Sequence, residues 1–293
     1  VHAPFGLIPA FTTKTFPNFW TIATGLYEES HGMIDNSFLD PNFNESFSLF
    51  NKKVVSEAKW WKGEPIWVTA KRQGKSTAVF FWPGSEVQNY KWKPDLWRRY
   101  DSRVDLREII ETVLNWLQIE NINLAMMYYN QPDKSVHKFG TFHTKVRQMV
   151  EFLDRVLYYL FAELQRRDLL HKINILIVSD HGMTDLKVND ENALIYLSDY
   201  IDIENDIIDI PESTAVAAIL PKPDKVEKVY QSLKYANKHM KVYLKEKIPE
   251  RFHYKHNDRI MPIIAIADEG YFIFRKPRKE PLNLKIGQHG YDN

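Results

Sequence analysis

Six side chains in four separated stretches of the chain have the residue types that metal-assisted hydrolysis requires. They are Thr15, the pair Asp133 and His137, the adjacent pair Asp180 and His181, and His289. A threonine hydroxyl can act as a nucleophile, while aspartate and histidine bind zinc and other divalent cations. Cysteine is absent, so any metal must be held by imidazole and carboxylate groups. Together the six residues predict a two-metal hydrolase that forms a covalent intermediate.

Each stretch alone has an ordinary structural explanation. Thr15 could cap a helix, and Asp133, which directly follows Pro132, could lie in a turn. His289 has glycines on both sides and could occupy an exposed turn, and Asp180 could cap a turn. A metal site is favoured because two of the stretches each follow a predicted strand and each supply one carboxylate and one imidazole.

These two Asp and His pairs are expected at one edge of a β-sheet. The apolar run 123–129 predicts a buried strand that ends shortly before Asp133. The run 173–178 is rich in β-branched residues and predicts a central parallel strand that ends just before Asp180. Ligands of parallel sheets gather at the carboxyl ends of the strands, so both pairs are in suitable positions.

Helices are predicted around these strands. Residues 105–117 and 145–167 repeat apolar side chains three and four positions apart, which is typical of a helix with one core-facing side. Another helix is expected to begin with Thr15 as its N-cap and to end at Gly25, which places the hydroxyl at the positive helix end. The apolar run 5–11 predicts a buried strand or extended segment that leads to this helix.

The predicted fold class is α/β, with a mostly parallel central sheet flanked by helices. Residues from approximately 185 to 280 differ, because short predicted strands and one helix are separated by many charged residues. We expect a smaller inserted subdomain there, within a single catalytic domain over 1–293. The chain starts at Val1 without Met and stops at Asn293 without a closing element, which predicts a domain incomplete at both termini.

Composition narrows the classes of partner. Basic and acidic residues number 39 and 38, so nothing favours a nucleic-acid polymer, and an anionic substrate is expected to be a small molecule. No apolar run reaches the roughly 20 residues that span a bilayer, and no obligate protein partner is evident. The sequon Asn44-Glu45-Ser46 predicts a glycosylation site and is a hint of secretion.

Several motifs occur in order along the chain and carry a family resemblance. They lie at residues 13–18, 24–27, 30–36, 81–85, 179–183 and 289–293. As a set they resemble the ectonucleotide pyrophosphatase/phosphodiesterase family of the alkaline phosphatase superfamily, over essentially the whole chain. The stretches 249–254, 257–260 and 267–270 look most like the cysteine-poor family members 4 and 5.

This resemblance implies an alkaline-phosphatase-like fold and two zinc ions per catalytic domain. One zinc would be held by Asp133, His137 and His289, and the other by Asp180, His181 and Thr15. Thr15 is then the nucleophile that receives the nucleotidyl group, and Asn36 with the backbone N–H of Thr15 supplies the oxyanion donors. In this family an aspartate of an Asp-Gly pair on an earlier strand completes the second site, and this sequence begins after that pair.

Substrate contacts are implied in the same way. Phe16 and Tyr100 match positions that sandwich a nucleobase, a contact that tolerates different bases. Their structural alternative is ordinary core packing. Lys14 is expected to help neutralise phosphate, although a solvated lysine would equally explain it. Family members act outside the cell, secreted or anchored, so this protein is expected there, with any membrane attachment through a segment absent from this chain.

Two departures from the family pattern concern the first zinc site. Val136 stands where the family usually has glycine, directly before the histidine ligand, and a β-branched residue would strain that loop if its φ were positive. Asn130 and Gln131 replace the usual acidic pair before Pro132.

The resemblance implies hydrolysis of nucleotide phosphodiester or pyrophosphate bonds, including those of dinucleoside polyphosphates. Two alternatives stay open. One is a choline-phospholipid phosphodiesterase, since related members use the same metals on lipids. The other is a metal-poor, inactive binding protein, which the two departures and the missing aspartate would favour.

Overall fold

The computed structural model of the protein describes residues 3–87, 93–190, 192–277 and 286–292. The helices are α1 Thr15–Thr24, α2 Glu28–His31, α3 Lys52–Val55, α4 Ile66–Arg72, α5 Leu106–Ile119, α6 Asp133–Phe139, α7 Thr144–Arg166, α8 Ile203–Asp206 and α9 Val226–Leu233. The strands are β1 Ser37–Asp40, β2 Glu45–Ser48, β3 Thr77–Phe80, β4 Leu96–Arg98, β5 Leu124–Met127, β6 Thr184–Asp185, β7 Leu194–Tyr196, β8 Ile207–Ser213, β9 Val216–Pro221, β10 Met240–Leu244, β11 Ile263–Ala267, β12 Phe272–Phe274 and β13 Gly287–Gln288.

A parallel sheet of order β4-β3-β5 leads toward the predicted site. Its central strand β3 is buried along its whole length and pairs in parallel with both neighbours. Helix α5 covers this sheet with the apolar face that the sequence predicts, and Asp105 caps it by accepting a hydrogen bond from the backbone N–H of Arg107. Because α6 begins at Asp133, just after β5, the first Asp and His pair lies beyond the carboxyl end of that strand.

A second sheet, antiparallel and of order β10-β11-β9-β8, occupies the predicted insertion. Alternate residues of its central strands face two different cores. Val216 and Ile264 pack with α1 and the tryptophan-rich core, whereas Ala217 and Ile263 pack with α9. The sheet therefore shares one face with the rest of the domain, and the boundaries proposed for a subdomain stay a prediction.

Three stretches are less buried than the sequence predicts, and the first of them also lacks its predicted strand. The run 173–178 forms no strand, and its Leu176 and Ile177 side chains are 89% and 62% exposed. A strand requires a neighbouring backbone to hydrogen-bond, and in the described part of the chain none pairs with this run. Phe5 and Ile8 are likewise exposed, so the run 5–11 is buried only at its end.

Helix α7 is the third case. It spans 23 residues, as its periodicity predicts, but only Val146, Leu160 and Leu164 of its apolar stripe are buried. Val150 and Phe161 on the same stripe are exposed. Periodicity predicts which face is apolar, but it does not determine whether another element covers that face. None of the helices in the described ranges is long and apolar enough to cross a membrane.

A buried ion pair joins the first hairpin to the segment before β11. Arg259 is almost fully buried, and its Nε donates to Asp40 Oδ2 at 2.7 Å. Its remaining nitrogens donate to the main-chain oxygens of Gly32, Trp60 and Lys59. All three nitrogens of this guanidinium donate hydrogen bonds, so Arg259 holds the first hairpin against the segments that contain Gly32 and Trp60.

We predict that Arg259→Leu lowers the free energy of unfolding by about 3–5 kcal/mol, because it leaves the Asp40 carboxylate buried without its charge partner. The matched control is Arg72→Leu, which breaks the exposed pair of Arg72 with Glu64 and should leave the free energy of unfolding nearly unchanged. Chemical denaturation of both variants measures the difference, and equal losses would contradict the prediction.

Candidate metal and catalytic site

Thr15 lies at the amino end of α1, as the sequence predicts, but as the first helical residue and not as the N-cap. Lys14 occupies the N-cap position, and Gly25 ends the helix in a left-handed conformation. As the first helical residue, Thr15 has its backbone N–H outside the intrahelical hydrogen-bond pattern. The Thr15 Oγ1 atom lies 3.3 Å from His181 Nε2. The hydroxyl thus points toward one of the predicted ligands at a positive helix end.

Main-chain carbonyl oxygens orient all three candidate histidine ligands through Nδ1. His137 bonds the oxygen of Gly287 at 2.7 Å and His181 that of Gly182 at 2.8 Å. His289 bonds the oxygen of Thr13 at 2.9 Å. A carbonyl can only accept, so in each neutral imidazole Nδ1 carries the proton and Nε2 has the lone pair that a metal uses.

Three of the predicted ligands form one cluster. The donor atoms of Asp133, His137 and His289 all lie within 4.8 Å of one another. Asp133 Oδ1 is 3.4 Å from His137 Nε2 and 3.8 Å from His289 Nε2. Among the residues that the structure describes, no hydrogen bond reaches this buried oxygen. A buried carboxylate oxygen with two imidazole lone pairs beside it fits a divalent cation.

The second Asp and His pair lies against this cluster. Asp180 Oδ2 is 3.3 Å from His181 Nε2, the same nitrogen that faces Thr15. The rings of His181 and His289 are stacked with centroids 3.7 Å apart. The structure therefore brings all six predicted residues together, with Asp180, His181 and Thr15 forming a second, adjacent group of possible ligands. Their roles stay predictions.

Burial sets the protonation of this site. It lowers the pKa of His289 well below its ordinary value, and the neighbouring His181 and His137 lower it further. Burial raises the pKa of Asp180, against the opposing effect of His181. A low pKa keeps the His289 imidazole neutral at neutral pH, and neutral imidazole is the form that binds metal.

Asn36, the predicted oxyanion donor, lies beside Thr15. Its Oδ1 accepts a hydrogen bond from the backbone N–H of Phe16 at 2.9 Å. This bond ties the Asn36 side chain to the first turn of α1. Since the amide oxygen is used there, its NH₂ group is the part available to donate to a substrate.

Lys14 does not lie where a phosphate contact was expected. Its side chain is buried, and Nζ donates to Asp35 Oδ1 at 2.8 Å and lies 3.3 Å from Glu212 Oε1. Burial raises the pKa of Asp35 to about 7, even though Lys14 opposes the shift. The expectation of a phosphate-binding lysine is corrected on geometric grounds, since two carboxylates already hold this ammonium group.

The two aromatic residues proposed for base stacking have different surroundings. Phe16 is partly buried, with Phe47 and Trp61 at centroid distances of 6.0 and 5.8 Å. Tyr100 packs edge to face on Phe81, and its hydroxyl accepts a hydrogen bond from Asn130 Nδ2 at 3.0 Å. Asn130 thus supports Tyr100, and the role of both rings in base binding stays a prediction.

The concern about Val136 does not hold in the structure. Val136 lies inside α6, away from the left-handed region of φ, and its side chain is buried. Space for this side chain comes from Gly287, where an added Cβ would lie only 2.7 Å from Val136 Cγ1 and 2.5 Å from the Val136 carbonyl oxygen. Gln131 accepts a hydrogen bond from the backbone N–H of Ser135 and so contributes to the start of α6.

Sequence reasoning missed three residues that position the site. Thr13 supplies the carbonyl that orients His289, and its hydroxyl accepts a hydrogen bond from the backbone N–H of Gly290. Asp35 and Glu212 hold Lys14 from 21 and 198 positions away along the chain. Thr13 and Asp35 lie inside the motifs at 13–18 and 30–36, whereas nothing in the local sequence indicates Glu212. Asn44 lies exposed in the turn between β1 and β2, and its glycosylation stays a prediction.

Comparison with known proteins identifies the family. The model for the type I phosphodiesterase / nucleotide pyrophosphatase family matches residues 1–292. The chain belongs to this family. Human ectonucleotide pyrophosphatase/phosphodiesterase family member 5 is 38% identical over 284 residues, which are 97% of this chain and 58% of the relative. Bovine bis(5'-adenosyl)-triphosphatase ENPP4 is 42% identical over 289 residues, 97% of this chain and 61% of the relative. The chain thus spans less than two thirds of these curated relatives.

Solved structures of the family agree with the fold. Murine ENPP5 superposes with a TM-score of 0.90 at 36% identity, covering 98% of this chain and 75% of the murine chain. An inactive threonine-to-alanine variant of murine ENPP5 in complex with AMP matches equally well. The predicted α/β, alkaline-phosphatase-like fold is therefore confirmed.

We predict that Gly287→Ala lowers zinc affinity about 10- to 100-fold, because it displaces the carbonyl that orients His137. The matched control is Gly182→Ala. Gly182 also supplies a carbonyl to a histidine, but an added Cβ there would meet nothing within 4 Å. Competition with a zinc-binding dye measures both affinities. Equal affinity of the two variants would show that the contact between Gly287 and α6 does not control the site.

Proposed function

We propose that the protein is a two-zinc phosphodiesterase and pyrophosphatase that hydrolyses phosphodiester or pyrophosphate bonds of nucleotides through a covalent threonine-nucleotidyl intermediate. The observation that carries this proposal is the buried Asp133 oxygen, which has two histidine nitrogens within 4 Å and a threonine hydroxyl beside the adjacent pair. Family membership supports the reaction class, and the conclusion about this chain rests on its own residues.

The donor set fits two zinc ions. Asp133, His137 and His289 would hold one, and Asp180, His181 and Thr15 would contribute to the other. When bound, zinc would neutralise the charge of the phosphoryl oxygens and acidify a neighbouring hydroxyl. This combination suits a threonine nucleophile, which is weak at its ordinary pKa.

The protein's own groups account for the remaining steps. Thr15 loses its proton to solvent as Oγ1 attacks phosphorus, the Oγ1–P bond forms, and the bond to the leaving oxygen breaks. Water then attacks the same phosphorus, the Oγ1–P bond breaks to release the nucleotide, and a proton of that water restores the hydroxyl. In both steps the Asn36 NH₂ group and the backbone N–H of Thr15 donate to the phosphoryl oxygen, where negative charge develops. The murine ENPP5 variant supports the nucleophile, since replacement of a threonine by alanine inactivates that relative.

We predict that Thr15→Ala reduces turnover of a nitrophenyl ester of a nucleotide at least about 1,000-fold, because no hydroxyl remains to form the intermediate. The zinc content of the variant should stay mostly unchanged, since five other donors remain. Thr24→Ala is the matched control, because Thr24 lies at the opposite end of the same helix, where its hydroxyl donates to the Trp20 carbonyl and accepts from the backbone N–H of Leu26. Parent-like turnover by Thr15→Ala would refute the assignment.

A nucleotide substrate is supported by relatives, since bovine ENPP4 is named for cleavage of a dinucleoside triphosphate and murine ENPP5 binds AMP. We predict that the zinc-loaded protein hydrolyses diadenosine triphosphate in preference to lysophosphatidylcholine.

Phe16→Leu should raise KM for the nucleotide by about tenfold with little change in kcat, because base stacking is worth about 1–3 kcal/mol.

Three results would redirect this assignment. Faster release of phosphocholine from the lipid would favour the choline-phospholipid alternative. A KM unchanged by Phe16→Leu would remove base stacking from the site. Less than one bound zinc per chain, measured by elemental analysis of the purified protein, would favour a metal-poor binding protein.

A further inference from the structure

The residue directly before the proposed nucleophile has a buried charge network that the reaction chemistry does not use. Lys14 Nζ lies between the carboxylates of Asp35 and Glu212, at 2.8 and 3.3 Å. The three side chains are only 4%, 3% and 11% exposed. Burial of charges is costly, and the attraction between them often does no more than offset that cost, so the network is weak evidence of a contribution to stability.

We propose that Asp35 and Glu212 are positioning residues, which act through Lys14 to hold the Asn36 amide in register with Thr15. The inference rests on the proposed function, because it concerns the geometry of the group that donates to the phosphoryl oxygen. Glu212, a residue of the antiparallel sheet, thereby has a positioning role in the reaction.

The hydrogen bonds close a ring around the first turn of α1. Asp35 Oδ1 accepts from Lys14 Nζ and also from the backbone N–H of Asn36, at 2.8 and 2.6 Å. Asn36 Oδ1 in turn accepts from the backbone N–H of Phe16. Thr15 lies in the chain between Lys14 and Phe16, so the ring fixes Asn36 on both sides of the nucleophile.

Glu212 links this ring to a different part of the fold. It belongs to β8, whereas Asp35 precedes β1. The Lys14 stem also fills the space beside Gly290, where an added Cβ would lie 3.1 Å from Lys14 Cε. Gly290 directly follows the ligand candidate His289. A displacement of Lys14 would therefore shift Thr15, Asn36 and His289 together.

Charge alone makes the opposite prediction. Two acidic groups, Asp35 and Glu212, lie against one ammonium group beside a site for an anionic substrate, so their net charge is at most one negative unit. On electrostatic grounds, removal of one carboxylate charge would strengthen substrate binding and speed the reaction. A positioning role predicts slower turnover instead, because a shift of about 1 Å in the reacting geometry can cost about 100-fold in rate.

Steady-state kinetics of Glu212→Gln and Asp35→Asn test the proposal with the zinc-loaded protein and a nitrophenyl ester of a nucleotide. We expect kcat to fall about 10-fold for Glu212→Gln and about 100-fold for Asp35→Asn, with KM within about twofold of the parent. Glu212→Asp keeps the charge and should recover part of kcat. The matched control is Asp206→Asn, since Asp206 is a buried carboxylate paired with Lys228 directly before β8, remote from Lys14 in the contacts described.

Hydrogen exchange supplies a readout that does not need activity. The backbone amide of Phe16 is bonded to Asn36 Oδ1, so it should exchange faster in Glu212→Gln and Asp35→Asn and at the parent rate in Asp206→Asn. Parent-like kcat and parent-like exchange in Glu212→Gln would overturn the proposal, as would a rise in kcat/KM. If the parent does not cleave the ester, the proposed function fails separately, and the exchange rates still decide whether Glu212 holds Asn36.

Discussion

Three hydrogen bonds from imidazole Nδ1 atoms to main-chain carbonyls determine whether this site exists. Each bond fixes the tautomer of a histidine and turns its Nε2 inward. The carbonyls belong to Thr13, Gly182 and Gly287, which lie in three distant parts of the sequence. Because the carbonyls are backbone groups, the orientation of the ligands depends on how these segments pack, and not on further side chains that could be exchanged individually.

The same arrangement places titratable side chains close together in a buried region. His181 and His289 stack at 3.7 Å, and burial lowers the pKa of His289 while it raises that of Asp180. Both shifted groups lie near Asp133 Oδ1, a buried oxygen that no hydrogen bond reaches among the described residues. Perturbed pKa values cluster at functional sites, so this arrangement favours a bound cation.

Local patterns predicted much of this fold. Helix α5, helix α1 with Gly25 at its end, and strand β5 lie within a few positions of where periodicity and capping residues predict them. The run 173–178 shows the limit. It has the composition of a central strand, but strand formation also requires hydrogen bonds from a neighbouring backbone, and that neighbour is not encoded in the run itself.

The candidate site residues could be predicted from their side-chain types, but the residues that position them could not. Thr15 and the five metal-ligand candidates could be named because each has a chemistry of its own. Lys14 was interpreted as a phosphate contact, since a sequence cannot show that Asp35 and Glu212 will lie within 3.3 Å of its Nζ. The same holds for Thr13, whose contribution is a carbonyl that every residue has.

Val136 shows how a local departure can depend on a distant residue. Considered alone, a β-branched residue beside His137 suggests strain, because the family position usually holds glycine. In the fold Val136 is helical, and its side chain is accommodated because Gly287 has no Cβ, which would lie 2.7 Å from Val136 Cγ1. Gly287 also supplies the carbonyl that orients His137. Positions 136 and 287 are therefore coupled: Gly287 leaves room for the Val136 side chain, and its carbonyl orients His137.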